Sequence, residues 1–166
     1  GHNTSDLVTF PNGCQAAEVE IDPDTGHLRL TRYVAVDDYG RLVNPRLTEG
    51  QVQGGIVQGI GQALLEDIIY DPPSGQLLTG SLMDYALPRA DDVPPIEVVL
   101  EGTPTASNPL GVKGSGQAGA IAGPQTVMNA IADALALRGA SAPDMPATPE
   151  KIWRALQNAT TQQERN

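Results

Sequence analysis

Cysteine is almost missing from this chain: Cys14 is the only one among 166 residues. A lone thiol closes no disulfide within the chain and builds no multi-thiolate metal site. In strand context it reads as a small buried hydrophobe. Aromatic side chains are also scarce, with one Phe, one Trp and four Tyr, so a core must come from Val, Ile, Leu and Ala. Positive charge is in short supply as well: 10 Lys and Arg face 20 Asp and Glu, for a formal net charge of −10. That balance argues against nucleic acid or an anionic membrane surface as partner. The acidic residues are dispersed, the pattern of a solvated surface. No apolar run reaches the roughly 20 residues that a membrane helix needs. No secretory signal opens the chain; Gly1-His2 reads as a tag remnant, and the cytoplasm is the default expectation. Internal repeats and low-complexity segments are missing too.

What is present suits one domain over residues 1–166, long enough for its own core, with 40% apolar residues. Ala17, Val19 and Ile21 alternate with polar neighbours, residues 22–26 supply a turn, and Leu28 and Leu30 resume the alternation toward Val36. Residues 37–49 read as a loop, followed by a glycine-rich helix to about Glu66. A second hairpin is expected around residues 71–75, a helical turn over 81–85, and a strand over 96–100. Another helix is expected from near Pro124, with Val127, Met128, Ile131 and Leu135 on one face and Gly139 past its end. Thr148 and Pro149 offer the last helix a cap and first position. The expected class is α+β, mainly antiparallel strands with packed helices.

Residues 111–124 are the densest in information, with five glycines in fourteen positions ahead of an apolar-periodic helix. Glycine lets a ligand approach the backbone, and a helix N-terminus offers free N–H groups and partial positive charge. The combination suits an anionic or strongly polar ligand; a sharp turn with no ligand is the plainer alternative. Residues 114–119 match G-x-G-x-x-G, but no strand leads directly into them and no βαβ unit surrounds them. The acidic residue about 20 positions on, Asp133, lies within a helix. A dinucleotide-binding Rossmann unit is therefore rejected.

Residues 50–65 are helical in period despite their glycines. Val52, Ile56, Ile60, Ala63 and Leu64 share one face; Gln51, Gln58 and Gln62 share another. Each interior glycine costs about 0.8–1 kcal/mol against alanine, so close approach by a backbone or a cofactor is implied. Neutral amides both give and accept hydrogen bonds. Helix packing through small residues and ligand binding both remain open at this point.

Taken with Phe10-Pro11-Asn12-Gly13, Val36-Asp37-Asp38-Tyr39-Gly40-Arg41-Leu42-Val43-Asn44-Pro45, Met83-Asp84-Tyr85-Ala86-Leu87-Pro88 and the ending from Thr148 to Leu156, these elements resemble the molybdenum hydroxylase large subunits. These are the molybdopterin-binding chains of xanthine dehydrogenase, aldehyde oxidoreductase and aerobic carbon monoxide dehydrogenase type. The resemblance runs through nearly the whole chain and implies the C-terminal portion of a molybdopterin-binding region. It also implies a molybdopterin cofactor with molybdenum, in dinucleotide form in many bacteria, which the protein holds by hydrogen bonds and not as a metal ligand. As partners it implies the N-terminal remainder of the large subunit, subunits carrying Fe–S clusters and FAD, and a small organic substrate such as an aldehyde or N-heterocycle, oxidised with water.

Residue by residue, the resemblance places Gln51 on the glutamine that contacts the pterin, and Asn44 beside the nucleotide part of the cofactor. Lys113, Gly114, Ser115 and Gly116 fall on the turn beneath it, where backbone N–H groups would face the ligand. Gln117 stands where the family normally carries a glutamate acting as general base. An amide holds a hydrogen bond but takes no proton, and general-base catalysis commonly contributes about 10²–10⁴-fold. Different proton-transfer chemistry, a non-hydroxylating cofactor binder, and a deliberately altered residue or a part inactive by itself are the three alternatives; the competing function is a non-catalytic domain that gives only cofactor-binding or assembly contacts. His2 and His27 are poor substitutes for the base, one terminal and one just after a turn.

Overall fold

The computed structural model describes residues 7–163, which leaves Gly1 and His2, and any tag remnant there, outside the described residues. The elements run β1 (Asn12–Ile21), β2 (Leu28–Asp38), α1 (Pro45–Leu64), a single 3-10 turn (Ala90–Asp92), β3 (Ile96–Leu100), α2 (Ala118–Ala136) and α3 (Pro149–Gln163). Strand order is β1-β2-β3; β1 and β2 are antiparallel and β3 lies parallel to β2. The α+β class with a largely antiparallel sheet stands, and the parallel third strand is an addition to it.

Alternation builds the sheet. In β1, Gln15, Ala17, Val19 and Ile21 turn inward while Ala16, Glu18 and Glu20 face out. The connecting turn is closed by Asp22, whose carboxylate accepts the Asp24 N–H at 2.9 Å and the Thr25 hydroxyl at 2.8 Å. Gly26 follows at φ 70°, and a Cβ there would lie 2.1 Å from the carbonyl of Pro149. The hairpin therefore sits on the start of α3, and only glycine serves at its corner. His27 is exposed.

The core joins Leu30, Tyr33 and Ala35 of β2 to Val52, Ile56, Ile60 and Ala63 of α1, Val127, Ile131 and Leu135 of α2, and Ile152 and Leu156 of α3. The helices meet through small residues: a Cβ on Gly119 would lie 2.4 Å from the Val52 carbonyl, and one on Gly59 would lie 2.9 Å from Gly123 Cα. Helix packing thus accounts for Gly55, Gly59, Gly119 and Gly123.

Three expectations are corrected. Cys14 is exposed, because the alternation of β1 puts it on the outer face opposite the exposed Val36. α1 begins at Pro45 and not near Gly50, since Asn44 caps it by accepting the Leu47 N–H at 3.2 Å. α2 begins at Ala118, six residues before Pro124, and takes in half of the supposed loop, because Gly119 and Gly123 are buried in the helix crossing. The short second hairpin forms as expected, with an antiparallel bridge between Tyr70 and Leu77 and hydrogen bonds from Asp71 N–H to Gln76 O and from Leu78 N–H to Ile69 O, each 2.8 Å. Gly139, at φ 70°, ends α2 as expected, with the Ala140 N–H returning to Leu135 O at 3.1 Å. Among the described residues no helix is long and apolar enough to cross a membrane.

Candidate functional site

A cleft of about 700 Å³ opens between the first turns of α1 and the strand-like segment before α2, a size that holds a cofactor-sized ligand. The α1 wall is set by the cap: Asn44 holds the helix start, and the Thr48 hydroxyl donates to the Asn44 carbonyl at 3.0 Å. One turn on, Gln51 projects into the cleft and its Nε2 donates to the Gly116 carbonyl at 2.6 Å.

The opposite wall is tied down at its base. Gly40 bridges Val112, and the Asn108 side chain brackets Val112, donating to its carbonyl at 2.9 Å and accepting its N–H at 3.1 Å. Lys113 gives its N–H to Tyr39 O at 2.9 Å and its ammonium to Asp38 at 2.6 Å. Asp38 also accepts the N–H groups of Gly40 at 2.8 Å and Thr103 at 3.1 Å. The Lys113 hydrogen bond, then the Gly40 N–H, hold its carboxyl below the usual range.

Beyond this anchor the chain changes character. The N–H groups of Gly114, Ser115 and Gly116 donate no hydrogen bond to any described residue. Neither glycine has φ in the left-handed region, and a Cβ on either would meet nothing within 4 Å. Neither conformation nor packing of this chain therefore calls for glycine at 114 and 116. These three residues and Gln51 line the cleft, and the three N–H groups have no partner among the described residues.

Of the residues expected from sequence, Asn44, Gln51, Lys113, Gly114, Ser115 and Gly116 all line this cleft. Three of them are less available than expected, since the side chain and N–H of Lys113 are both used internally, Asn44 Oδ1 is used as the helix cap, and Gln51 Nε2 donates to the Gly116 carbonyl. Gln117 is not among the lining residues; it is exposed beside Gly116, with its carbonyl accepting the Ile121 N–H at 3.0 Å and its side chain capping nothing. The expectation missed Arg41, which lines the cleft and makes no ion pair among the described residues. Its signal was a single cation in an Asp-rich loop just before the Asn-Pro helix start. No group of three or more His, Cys, Asp or Glu among the described residues is placed to hold a metal ion.

Residues 1–94 match the molybdopterin cofactor-binding domain. The chain is 44% identical over 146 residues to the nicotine 6-hydroxylase large subunit of Paenarthrobacter nicotinovorans, covering 88% of this chain and 18% of that protein. It is 36% identical over 148 residues to the carbon monoxide dehydrogenase large chain of Hydrogenophaga pseudoflava, covering 89% and 18%. Among solved structures, quinoline 2-oxidoreductase from Pseudomonas putida 86 superposes with a TM-score of 0.85 at 46% identity, covering 89% of this chain and 19% of the other. The chain spans less than a fifth of the length of these relatives.

Proposed function

The chain belongs to the molybdopterin cofactor-binding domain family, and on that premise we propose that its cleft is one wall of the cofactor site of a molybdenum hydroxylase large subunit, of which it forms the C-terminal part. The observation that carries this is the segment Gly114–Gly116, which lines a cofactor-sized cleft with three backbone N–H groups that have no partner among the described residues. The donor set suits the group. A pterin edge and phosphates take hydrogen bonds from backbone amides and the Gln51 side chain, and Arg41 supplies positive charge in a chain of net charge −10. Gly114, Ser115, Gly116 and Gln51 hold the pterin; Arg41, Asn44 and the first turn of α1 lie along the nucleotide of a dinucleotide form. When bound, the cofactor supplies two-electron oxidation of a small organic substrate, with water as oxygen source and Fe–S and flavin partners as electron acceptors.

The protein's own task here is positioning. Asp38 and Lys113 fix the base of the donor loop, and Gln51 clamps its end at Gly116. Gln117, next in sequence, can hold a polar group by hydrogen bonds but cannot accept a proton. Proton transfer then falls to a group outside this chain, and a cofactor-binding domain without hydroxylase turnover is the second reading that Gln117 favours. Relatives named for nicotine and quinoline, at 44% and 46% identity, support an N-heterocyclic substrate.

Gln51→Leu in the complete large subunit tests the cleft. The variant should fold but carry less molybdenum and molybdopterin than the unmodified protein, each quantified per polypeptide. Full content of both overturns the assignment.

A further inference from the structure

Two neighbouring carboxylates end β2, and only one is neutralised. Asp38 is met by Lys113 and two backbone amides. Asp37 is 4% exposed, and its Oδ2 accepts the Tyr39 hydroxyl at 2.8 Å. No other side-chain hydrogen bond and no ion pair among the described residues reaches it. Burial pushes the Asp37 carboxyl up, and the Tyr39 hydroxyl pulls it down. Carboxylates buried to this extent are normally paired with a cation.

Asp37 stands in the wall of a slot of about 160 Å³ formed with Pro11, Gly13 and Gln15 on one side and Ala118, Ile121 and Ala122 of α2 on the other. Gly13, the cross-strand partner of Asp37, keeps the carboxylate reachable: a Cβ there would lie 2.0 Å from Asp37 Oδ1. The slot is well below the roughly 300–1,000 Å³ of small-molecule sites and matches one side chain. Its apolar wall of Pro11, Ala118, Ile121 and Ala122 suits a methylene stem, and the carboxylate suits a cationic head.

We infer that this slot receives one arginine or lysine side chain from the part of the large subunit outside this chain, with Asp37 as its counter-charge. Four of this chain's own cations, Arg29, Arg32, Lys113 and Arg154, are paired with other carboxylates. The relatives carry more than four-fifths of their length outside the matched region, which is ample to supply one. The inference rests on family membership and not on the cofactor role of the cleft.

The test is a cryo-EM map of the intact large-subunit complex, with Asp37→Asn as second arm. The map should show an arginine or lysine nitrogen within hydrogen-bond distance of Asp37 Oδ1. Asp37→Asn, which keeps an acceptor for Tyr39, should lower the thermal unfolding midpoint of the complex by several degrees, because the seated cation loses its partner. Changing that basic residue to Gln should add little to the Asp37→Asn effect. A slot holding only water, a solvent cation or an apolar side chain overturns the inference. So does an Asp37→Asn midpoint that is unchanged or raised, the result for a buried carboxylate with no cation to serve. If the variant does not fold, the map of the unmodified complex decides. Molybdenum content read on the same sample reports separately on the cleft.

Discussion

At the crossing of α1 and α2, a Cβ on Gly119 would lie 2.4 Å from a backbone carbonyl, whereas at Gly114 and Gly116, a few residues earlier, a Cβ would meet nothing within 4 Å. The same residue type answers two different demands within one short stretch. At the crossing, glycine lets two backbones touch, and the fold itself requires it. In the cleft, nothing in the chain requires it, and on the proposed function the requirement comes from the cofactor. Glycine content alone therefore does not mark the cleft: Gly114 and Gly116 are open and line it, whereas Gly50 and Gly54 of α1 are equally open and do not.

The sharpest way to break this contrast is Gly119→Val in the complete large subunit. The added atoms run into the backbone of α1, which cannot swing aside as a side chain can. The loss should reach about 3 kcal/mol or more, read as a shift in denaturant midpoint. A variant unfolding like the parent would show that the crossing tolerates a side chain, and the distinction between the two sets would fail.

Gln117→Glu probes the end of the donor loop. The side chains are nearly equal in volume, so molybdenum content should hold. Turnover should change by about an order of magnitude or more: upward if the assembly is slow for want of a base, downward if a neutral amide is needed there. Unchanged kinetics at full molybdenum occupancy would place Gln117 away from the reacting atoms.

A smaller effect is expected from Asp38→Asn at the loop's anchor. The folded-state carboxyl is held below its ordinary value of 3.8, chiefly by Lys113. Its contribution is therefore present above about pH 4, and is lost as pH falls through that region toward the folded-state value. The variant keeps an acceptor for Gly40 and Thr103 but loses the charge, so its unfolding midpoint should fall less steeply on acidification than the parent's. Identical acid limbs would remove Asp38 as the anchor.

Much of this arrangement was legible from residue order, and the exceptions have physical causes. The inward face of α1, Val52 through Ala63, was visible in its period, because helix burial repeats regardless of what covers it. The convergence of Gln51 with residues 113–116 came from the family resemblance; no local pattern links residues 65 positions apart. The start of α2 was misplaced because Gly119 and Gly123 looked like loop residues, and only their contact with α1 makes them helical. The α1 start was misplaced because Asn44-Pro45 was read as part of a loop and not as a cap and first-position pair. Cys14 was misjudged by residue type, when the alternation of its own strand already pointed it outward. Arg41 and Asp37 escaped notice because each gains its meaning from what does, or does not, stand opposite it in three dimensions.

The most direct measurement is molybdenum per large subunit in Gly116→Val, purified from cells alongside the parent. A Cβ at this position meets nothing within 4 Å, and the valine takes up space in the cleft that Gly116 lines, so the variant should fold with an unchanged far-ultraviolet circular dichroism spectrum. Molybdenum and molybdopterin should both be severely depleted in that folded protein. Full occupancy of both would contradict it, for the open glycines would then face something other than the cofactor.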